Sequence, residues 1–344
     1  MHYEERFMQH ALKLAEQGLG KTAPNPMVGA CLVMEDRIVA DGYHVQYGQM
    51  HAEPAAIHAM ADASLLPACT LYVTLEPCSH KGKTPPCTDL IIRSGIKRVV
   101  IGSADTNSHV SGHGAEVLRN AGIEVIEGVL EKECRSLNKR FFTYHEKQRP
   151  YILLKWAMSA DGFIDGLELA PMQISGPEAQ LLNHTWRSQE QAILVGTKTA
   201  IKDNPQLNSR LVDGKDPLRV LIDKDLAVPS IHHLLNGINP TLVFTAMERE
   251  SQGKVEYQRL DEPFFKDPVP HILYSLYLKE IQSLIVEGGA QTLNLFIENG
   301  LWDEARVFTN PKKIGQGVAA PKGLGIPNSS RLVGNDRLDI YLNS

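Results

Sequence analysis

Apolar and polar positions alternate in two rhythms up to His145. A helical spacing covers Glu5 to Gln17, Ala52 to Met60, Thr88 to Ser94 and Gly114 to Ala121. Short apolar or alternating runs predict strands at Val28 to Val33, Arg37 to Tyr43, Thr70 to Thr74, Arg98 to Ile101 and Glu124 to Gly128. Helices interleaved with strands predict an α/β layer structure on a mainly parallel sheet. The polar segment HEKQRP, His145 to Pro150, precedes a fresh apolar run, Tyr151 to Trp156. A boundary there separates a first domain, 1–147, from a second, 148–344. The second half repeats the alternation, with strands at Ala192 to Val195, Leu218 to Ile222, Thr241 to Phe244 and Ser283 to Val286, then a helix from Gln291 to Asn299. No internal repeat or heptad pattern interrupts this reading.

With 344 residues the chain can bury two cores. Its 43% hydrophobic and 22% charged content is that of an ordinary globular protein, and a net charge of -5 offers no general attraction to nucleic acid or to an anionic membrane. The N-terminal stretch carries charges where a secretion signal needs an apolar run, and nothing approaches the roughly 18 apolar residues of a membrane span. A cytoplasmic location is the expectation. Five cysteines, an odd number thinly scattered, argue for reduced thiols rather than a disulfide framework. Cys31, Cys69 and Cys134 have apolar neighbours and read as core residues. Cys78 and Cys87 instead lie among Pro, Gly, Ser and Lys.

Those two thiols have one imidazole before them. His51-Ala-Glu53 followed by Pro77-Cys78 and then Cys87 supplies one His and two Cys, the three protein ligands of a catalytic zinc site whose fourth position is left to water. In zinc deaminases of amino-heterocycles the Glu two residues after the ligand His does not bind metal but moves protons. Zinc acidifies the water, and Glu53 would carry the proton to the departing nitrogen. The general pattern has two residues between its cysteines; here there are eight, stiffened by Pro85 and Pro86 and turned at Gly82. Lys83 in this loop suits a phosphate.

These residues, together with Thr22-Ala-Pro-Asn25-Pro-Met-Val-Gly29, Glu76-Pro-Cys78-Ser-His80, Thr84-Pro-Pro-Cys87, Asp105 and Asn107, resemble the bifunctional deaminase/reductase family of riboflavin biosynthesis. The resemblance implies a cytidine-deaminase-like α/β/α first domain acting on a pyrimidine with a phosphoribosylamino group. Asn25 and His44 would line the pyrimidine pocket, while Lys83, Asp105 and Asn107 would hold the base or the ribose phosphate. Asn25 fits a turn in Pro-Asn-Pro equally well. Lys81 stands where many relatives have His or an aromatic residue, and Thr106 with Ser108 replaces two prolines.

The second half has no G-x-G-x-x-G fingerprint. It does have LIVEGGAQTL, where an apolar run ends in Glu287-Gly288-Gly289 before a helix, a turn whose N–H groups and helix dipole suit an anion or which simply needs glycine. The reductase half of the same family, similar in fold to dihydrofolate reductase, carries motifs that read here as Lys155-Trp-Ala157-Met-Ser159-Ala-Asp161-Gly162, Val195-Gly-Thr-Lys-Thr199, Asp203-Asn-Pro-Gln-Leu207-Asn-Ser-Arg210 and Val286-Glu287-Gly288-Gly289. By that resemblance NADPH reduces the opened ribosylamino group to a ribitylamino chain. Arg187 and Arg210 would clamp the phosphate. Lys155, Leu207 and Glu287 would face the substrate, while Ala157, Thr199, Asp203, Gly288 and Gly289 would lie along the cofactor. Asp203 also suits a cap. Pro171-Met172-Gln173 replaces a serine and a tryptophan usual in relatives, so those contacts are not carried over. A homodimer is implied by the family.

Three other readings compete. A nucleic-acid deaminase would need a basic channel or stacking aromatics, against a net acidic chain with 6% aromatic residues. A structural zinc site would need a fourth ligand, for which His58 and His80 are the candidates. A degenerate reductase half is suggested by Pro171 to Gln173.

Overall fold

In a computed structural model, residues 3–79, 85–106, 113–168 and 170–343 are described. The chain folds into two compact units, Met1–Gln148 and Arg149–Ser344.

The first unit runs α1 (Tyr3–Ala15), β1 (Gly29–Met34), β2 (Arg37–Tyr43), α2 (Ala52–His58), β3 (Thr70–Leu75), α3 (Cys87–Arg93), β4 (Arg98–Ser103), α4 (His113–Asn120), β5 (Glu124–Ile126), α5 (Glu131–Leu137) and α6 (Lys139–Lys147). Its sheet has the order β2-β1-β3-β4-β5. Alternate residues of β1 face opposite cores, as the two-residue period of a strand requires. Ala30 and Leu32 pack with Ala56 of α2, Ile91 of α3 and Leu118 of α4, whereas Cys31 and Val33 pack with Phe7, Met8 and Ala11 of α1 and Cys134 of α5. Helices on both faces make the three layers.

The expectation of a mainly parallel sheet is corrected here. β1 pairs antiparallel with both β2 and β3, and only β3-β4-β5 is parallel. For the β1–β2 pair the cause is local: Glu35 and Asp36, the two residues between the strands, have φ of 49° and 63°, the left-handed geometry of a tight hairpin.

The second unit runs β6 (Tyr151–Ser159), β7 (Phe163–Asp165), α7 (Pro177–Gln189), β8 (Ala192–Gly196), α8 (Thr197–Asp203), β9 (Leu218–Ile222), β10 (Thr241–Thr245), β11 (Val255–Arg259), α9 (Val269–Leu278), β12 (Ser283–Gly288), α10 (Ala290–Glu298), β13 (Glu304–Asn310), β14 (Val318–Ala319), β15 (Ser329–Val333) and β16 (Asp336–Leu342). The main sheet is ordered β11-β10-β9-β8-β12-β6-β13-β16-β15, with β11 through β13 parallel and the β16-β15 end antiparallel. Ile152, Leu154, Leu194 and Val286 pack on α9 and α10, while Leu153, Ile193, Val195 and Ile285 pack on α7 and α8. Strands covered on both faces read as continuous apolar runs, which is why this part of the sheet was legible in the sequence. Among the described residues, no helix is long and apolar enough to cross a membrane.

Candidate functional site

His51 is the N-cap of α2, Cys78 follows the end of β3, and Cys87 opens α3. His51 Nδ1 lies 3.4 Å from Cys87 Sγ and 3.8 Å from Cys78 Sγ, and the three donor atoms fall within 4.8 Å of one another. Tetrahedral zinc, with Zn–S near 2.3 Å and Zn–N near 2.0–2.1 Å, sets a neighbouring S and N about 3.6 Å apart. The cluster therefore fits zinc without rearrangement. The Cys87 N–H also donates to Cys78 Sγ at 3.4 Å. Hydrogen bonding from the Cys87 thiol brings Cys78 down to about 4, and the same contact pushes Cys87 up. Among the described residues the cluster has three members, and His58 is not one of them. His80, Lys83 and Asn107 lie outside the described residues.

Glu53, in the first turn of α2, is 3% exposed. Burial, then the Cys78 thiolate, pushes its carboxyl up to about 7, while a hydrogen bond with the Cys87 thiol opposes the shift. An acid with this affinity is matched to taking and returning a proton near neutral pH. The His44 ring stands 5.3 Å from the His51 ring, centroid to centroid. Its Nδ1 lies 2.9 Å from the Met50 carbonyl, so Nδ1 carries the proton and Nε2 accepts from Asn25 Nδ2 at 3.2 Å. Burial lowers the His44 pKa and favours this neutral form. Asn25 and His44 thus come together beside the metal ligands.

Two residues after Asn25, the backbone of Met27 is held by Asn138, a buried residue between α5 and α6. Its Oδ1 accepts from the Met27 N–H and its Nδ2 donates to the Met27 carbonyl, both at 2.8 Å. Sequence reasoning missed it, because nothing local marks an Asn whose partners lie over a hundred positions away. Asn138→Ala would leave both Met27 groups buried and unpaired, so it is expected to lower stability by roughly 2 kcal/mol and raise the deaminase KM. Thermal melting with steady-state kinetics checks both; an unchanged KM would detach Asn138 from the site.

Glu76, which opens the Glu-Pro-Cys motif, joins the metal loop to the next segment. Its carboxylate accepts from the N–H groups of Asp105 at 3.2 Å, Gly114 at 2.8 Å and Ala115 at 3.1 Å. Asp105 is buried at the end of β4. A Cβ on Gly114 would lie 2.1 Å from the Pro77 carbonyl oxygen, so only glycine allows this approach.

In the second unit, β6, β12 and β8 are parallel neighbours whose carboxyl ends carry most of the expected residues, the usual place for a ligand in an open α/β sheet. Lys155 and Ala157 alternate on one face of β6 with Ser159, whose Oγ donates to Asp161 at 2.6 Å. Asp161 in turn accepts from the Ile314 and Gly315 N–H groups. That motif therefore divides between site and scaffold. Gly288, with φ of 122°, follows Glu287 on β12, and a Cβ on Gly289 would meet Thr199 Oγ1 at 3.0 Å. Thr199 and the Gly288-Gly289 turn are thus adjacent, and a side chain at position 289 would crowd the Thr199 hydroxyl. Asp203 is exposed at the far end of α8.

The expected division of labour between Arg187 and Glu287 changes. Arg187 Nε and Nη2 grip the Glu287 carboxylate at 2.7 and 2.6 Å, and Nη1 donates to the Asn208 carbonyl at 3.2 Å. Arg187 holds a carboxylate here, and Arg210 is the exposed guanidinium. Burial opposes the Glu287 charge, but Arg187 outweighs it and brings the carboxyl down to about 2. Lys155 lies nearby, buried, with its pKa lowered by desolvation and raised again by Glu287. The Leu207 side chain is 2% exposed within the core, so only its backbone, at φ 53°, is offered to a ligand. Gln173 donates to the Ser175 carbonyl and Oγ at 3.1 and 2.9 Å, and Met172 covers Gly166.

Residues 1–103 match the cytidine and deoxycytidylate deaminase zinc-binding region, and residues 150–339 match the RibD C-terminal domain. The chain is 44% identical to riboflavin biosynthesis protein RibD of Aquifex aeolicus, covering 92% of this chain and 89% of that protein. It is 42% identical to RibD of Bacillus amyloliquefaciens over 92% and 87% of the two chains. Among solved structures, a diaminohydroxyphosphoribosylaminopyrimidine deaminase/5-amino-6-(5-phosphoribosylamino)uracil reductase of Thermotoga maritima superposes with a TM-score of 0.89 at 38% identity, covering 100% of this chain and 99% of that one. Both halves are matched within single relatives of nearly equal length, and the chain belongs to the RibD family, the bifunctional deaminase/reductases of riboflavin biosynthesis.

Proposed function

We propose that residues 1–147 form a domain that hydrolytically deaminates 2,5-diamino-6-ribosylamino-4(3H)-pyrimidinone 5′-phosphate. Residues 148–344 then reduce the ribosyl group with NADPH to give 5-amino-6-(5-phosphoribitylamino)uracil. The observation that carries the reading is the buried Glu53 carboxyl beside a His51, Cys78 and Cys87 cluster of zinc dimensions. Zinc held by those three residues supplies the Lewis acidity that makes water nucleophilic at neutral pH. Glu53 accepts a proton from the attacking water and delivers it to the leaving amino nitrogen. Asn25, its amide turned by His44, and Asp105 orient the base, with Lys83 and Asn107 assigned to the same substrate.

In the reductase half, NADPH supplies the hydride. Ala157, Thr199, Asp203, Gly288 and Gly289 hold the cofactor, while Arg210 binds the phosphate and the Leu207 backbone lies against the substrate. Lys155 and the Arg187–Glu287 pair face the sugar and base. The Lys155 ammonium can offer a proton to the ribose oxygen as the ring opens. The cytoplasm suits a site built on two reduced thiols, the family implies a homodimer, and a net charge of -5 offers no general attraction to nucleic acid or to an anionic membrane.

Mass spectrometry of the diaminopyrimidine substrate after incubation with zinc-loaded protein tests both steps. Exchange of one amino group for oxygen without NADPH, and gain of two hydrogens with it, is the expected result. Exchange alone would leave a deaminase with a failed or differently specific reductase half, and no change in either tube would overturn the reading.

A further inference from the structure

Helix α7 places Asn183, His184 and Arg187 within four residues, and Asn183 and Arg187 both reach Glu287. Asn183 Nδ2 donates to the two carboxylate oxygens of Glu287 at 3.3 Å each. This fixes the orientation of the amide, because turning it over would set Oδ1 against a carboxylate. Oδ1 must therefore face away from Glu287. There it is buried and has no hydrogen-bond partner among the described residues, although Asn183 is only 7% exposed. The next residue repeats the situation, for His184 Nδ1 is also buried without a partner. Burial, then Arg187 and Arg210, brings the His184 ring down to about 4 and keeps it neutral.

A buried acceptor with no donor costs about 1–3 kcal/mol, so its retention calls for a use. The surroundings define what would satisfy it. Arg210 and Lys155 supply cationic groups for an anionic ligand, Arg187 being taken up by Glu287 and the Asn208 carbonyl. A phosphate dianion has only acceptors and cannot satisfy Asn183 Oδ1, whereas an amino, ring N–H or hydroxyl group can. We propose that Asn183 is a specificity-determining residue of the reductase half, its Oδ1 accepting a hydrogen bond from an N–H or O–H donor of the substrate. This rests on the reductase reading given above. That substrate also carries ring N–H groups and other hydroxyls, but the assignment is to the 5-amino group of the base or the ribose 2′-hydroxyl, the donors that flank the reacting C1′–N linkage on its two sides.

The test compares the deaminated substrate with two analogues, one lacking the 5-amino group and one lacking the 2′-hydroxyl, using the zinc-loaded full-length enzyme and NADPH. Failure of the wild type to reduce the parent substrate would sink the reductase reading itself. Given that activity, the wild type should reject one analogue by about 10- to 100-fold in kcat/KM, and the analogue rejected identifies the donor. Asn183→Leu should bring that preference to within about three-fold while leaving the KM for NADPH unchanged, and Asn183→Ala does the same without a branched side chain should the leucine variant not fold. If Asn183 served only to hold Glu287, all three substrates would slow by the same factor and the preference would survive. That outcome, or a wild type indifferent to both analogues, would overturn the assignment.

Discussion

Replacing Glu53 by Gln is expected to lower deamination by about 10³-fold or more while the protein retains one zinc per chain. The carboxyl sits at the start of α2, one residue beyond Ala52 from the ligand His51, and is almost wholly buried. Gln has the same shape, can keep a hydrogen bond to the Cys87 thiol, and leaves the three donor atoms untouched. What it lacks is a proton to exchange. Burial disfavours the charged form of Glu53, so the fold bears the cost of an ionised carboxyl in a poorly solvated place. A neutral amide relieves that cost, and the variant is expected to melt no lower than the wild type. Activity and stability thus part company, as they should for a residue kept for chemistry. Zinc analysis, calorimetry and an ammonia-release assay on one preparation decide it; turnover above a tenth of the wild-type rate would remove Glu53 from the proton path.

The parts of this site that could be read from the chain are those whose chemistry needs unusual residue types. Thiols among Pro, Gly and Ser have little reason to sit in a core, so Cys78 and Cys87 stood apart from Cys31 and Cys134, which the fold does bury among apolar side chains. The same holds for strands β6, β8, β9, β10 and β12, whose apolar runs are covered on both faces. Residues that work through distant partners left no such trace. Asn138 looks like any polar residue between helices, and α5 and α6 around it are too polar to stand out. Arg187 and Glu287 were each placed near the substrate, but not on one another, because the pairing depends on α7 lying across the end of β12. The β1–β2 hairpin was legible in principle: strands expected three residues apart, and two apart in the fold, imply a tight antiparallel turn even without glycine in it. The exposed edge strand β15 carries almost no burial pattern to read.

The Arg187–Glu287 pair supports the second large effect: Arg187→Met is expected to destabilise the protein by about 3 kcal/mol at pH 7 and to abolish reduction. Both side chains are nearly buried, at 11% and 8% exposure, so removing the guanidinium leaves a carboxylate with little water and only the Asn183 amide and the nearby Lys155 ammonium for company. The pH dependence separates this electrostatic loss from a packing loss. In the wild type the Glu287 carboxyl is depressed from 4.5 to about 2, and a depressed acid contributes stability that is fully present above its unfolded pKa and disappears as pH falls toward the folded one. A depression of that size corresponds to about 3 kcal/mol, the same size as the expected loss. Without Arg187 the carboxyl has far less cause to remain ionised in the fold, and it can take up a proton as the medium is acidified. The stability gap between wild type and variant should therefore be widest at neutral pH and shrink between pH 4.5 and 2. Adding Glu287→Gln should recover much of the stability at pH 7 but none of the reduction, since the variant chain then no longer buries a carboxylate without its guanidinium yet lacks the groups that face the substrate. Denaturant melts across this pH range are the measurement, and a gap that stays constant with pH would show that Arg187 acts through its bulk and not its charge.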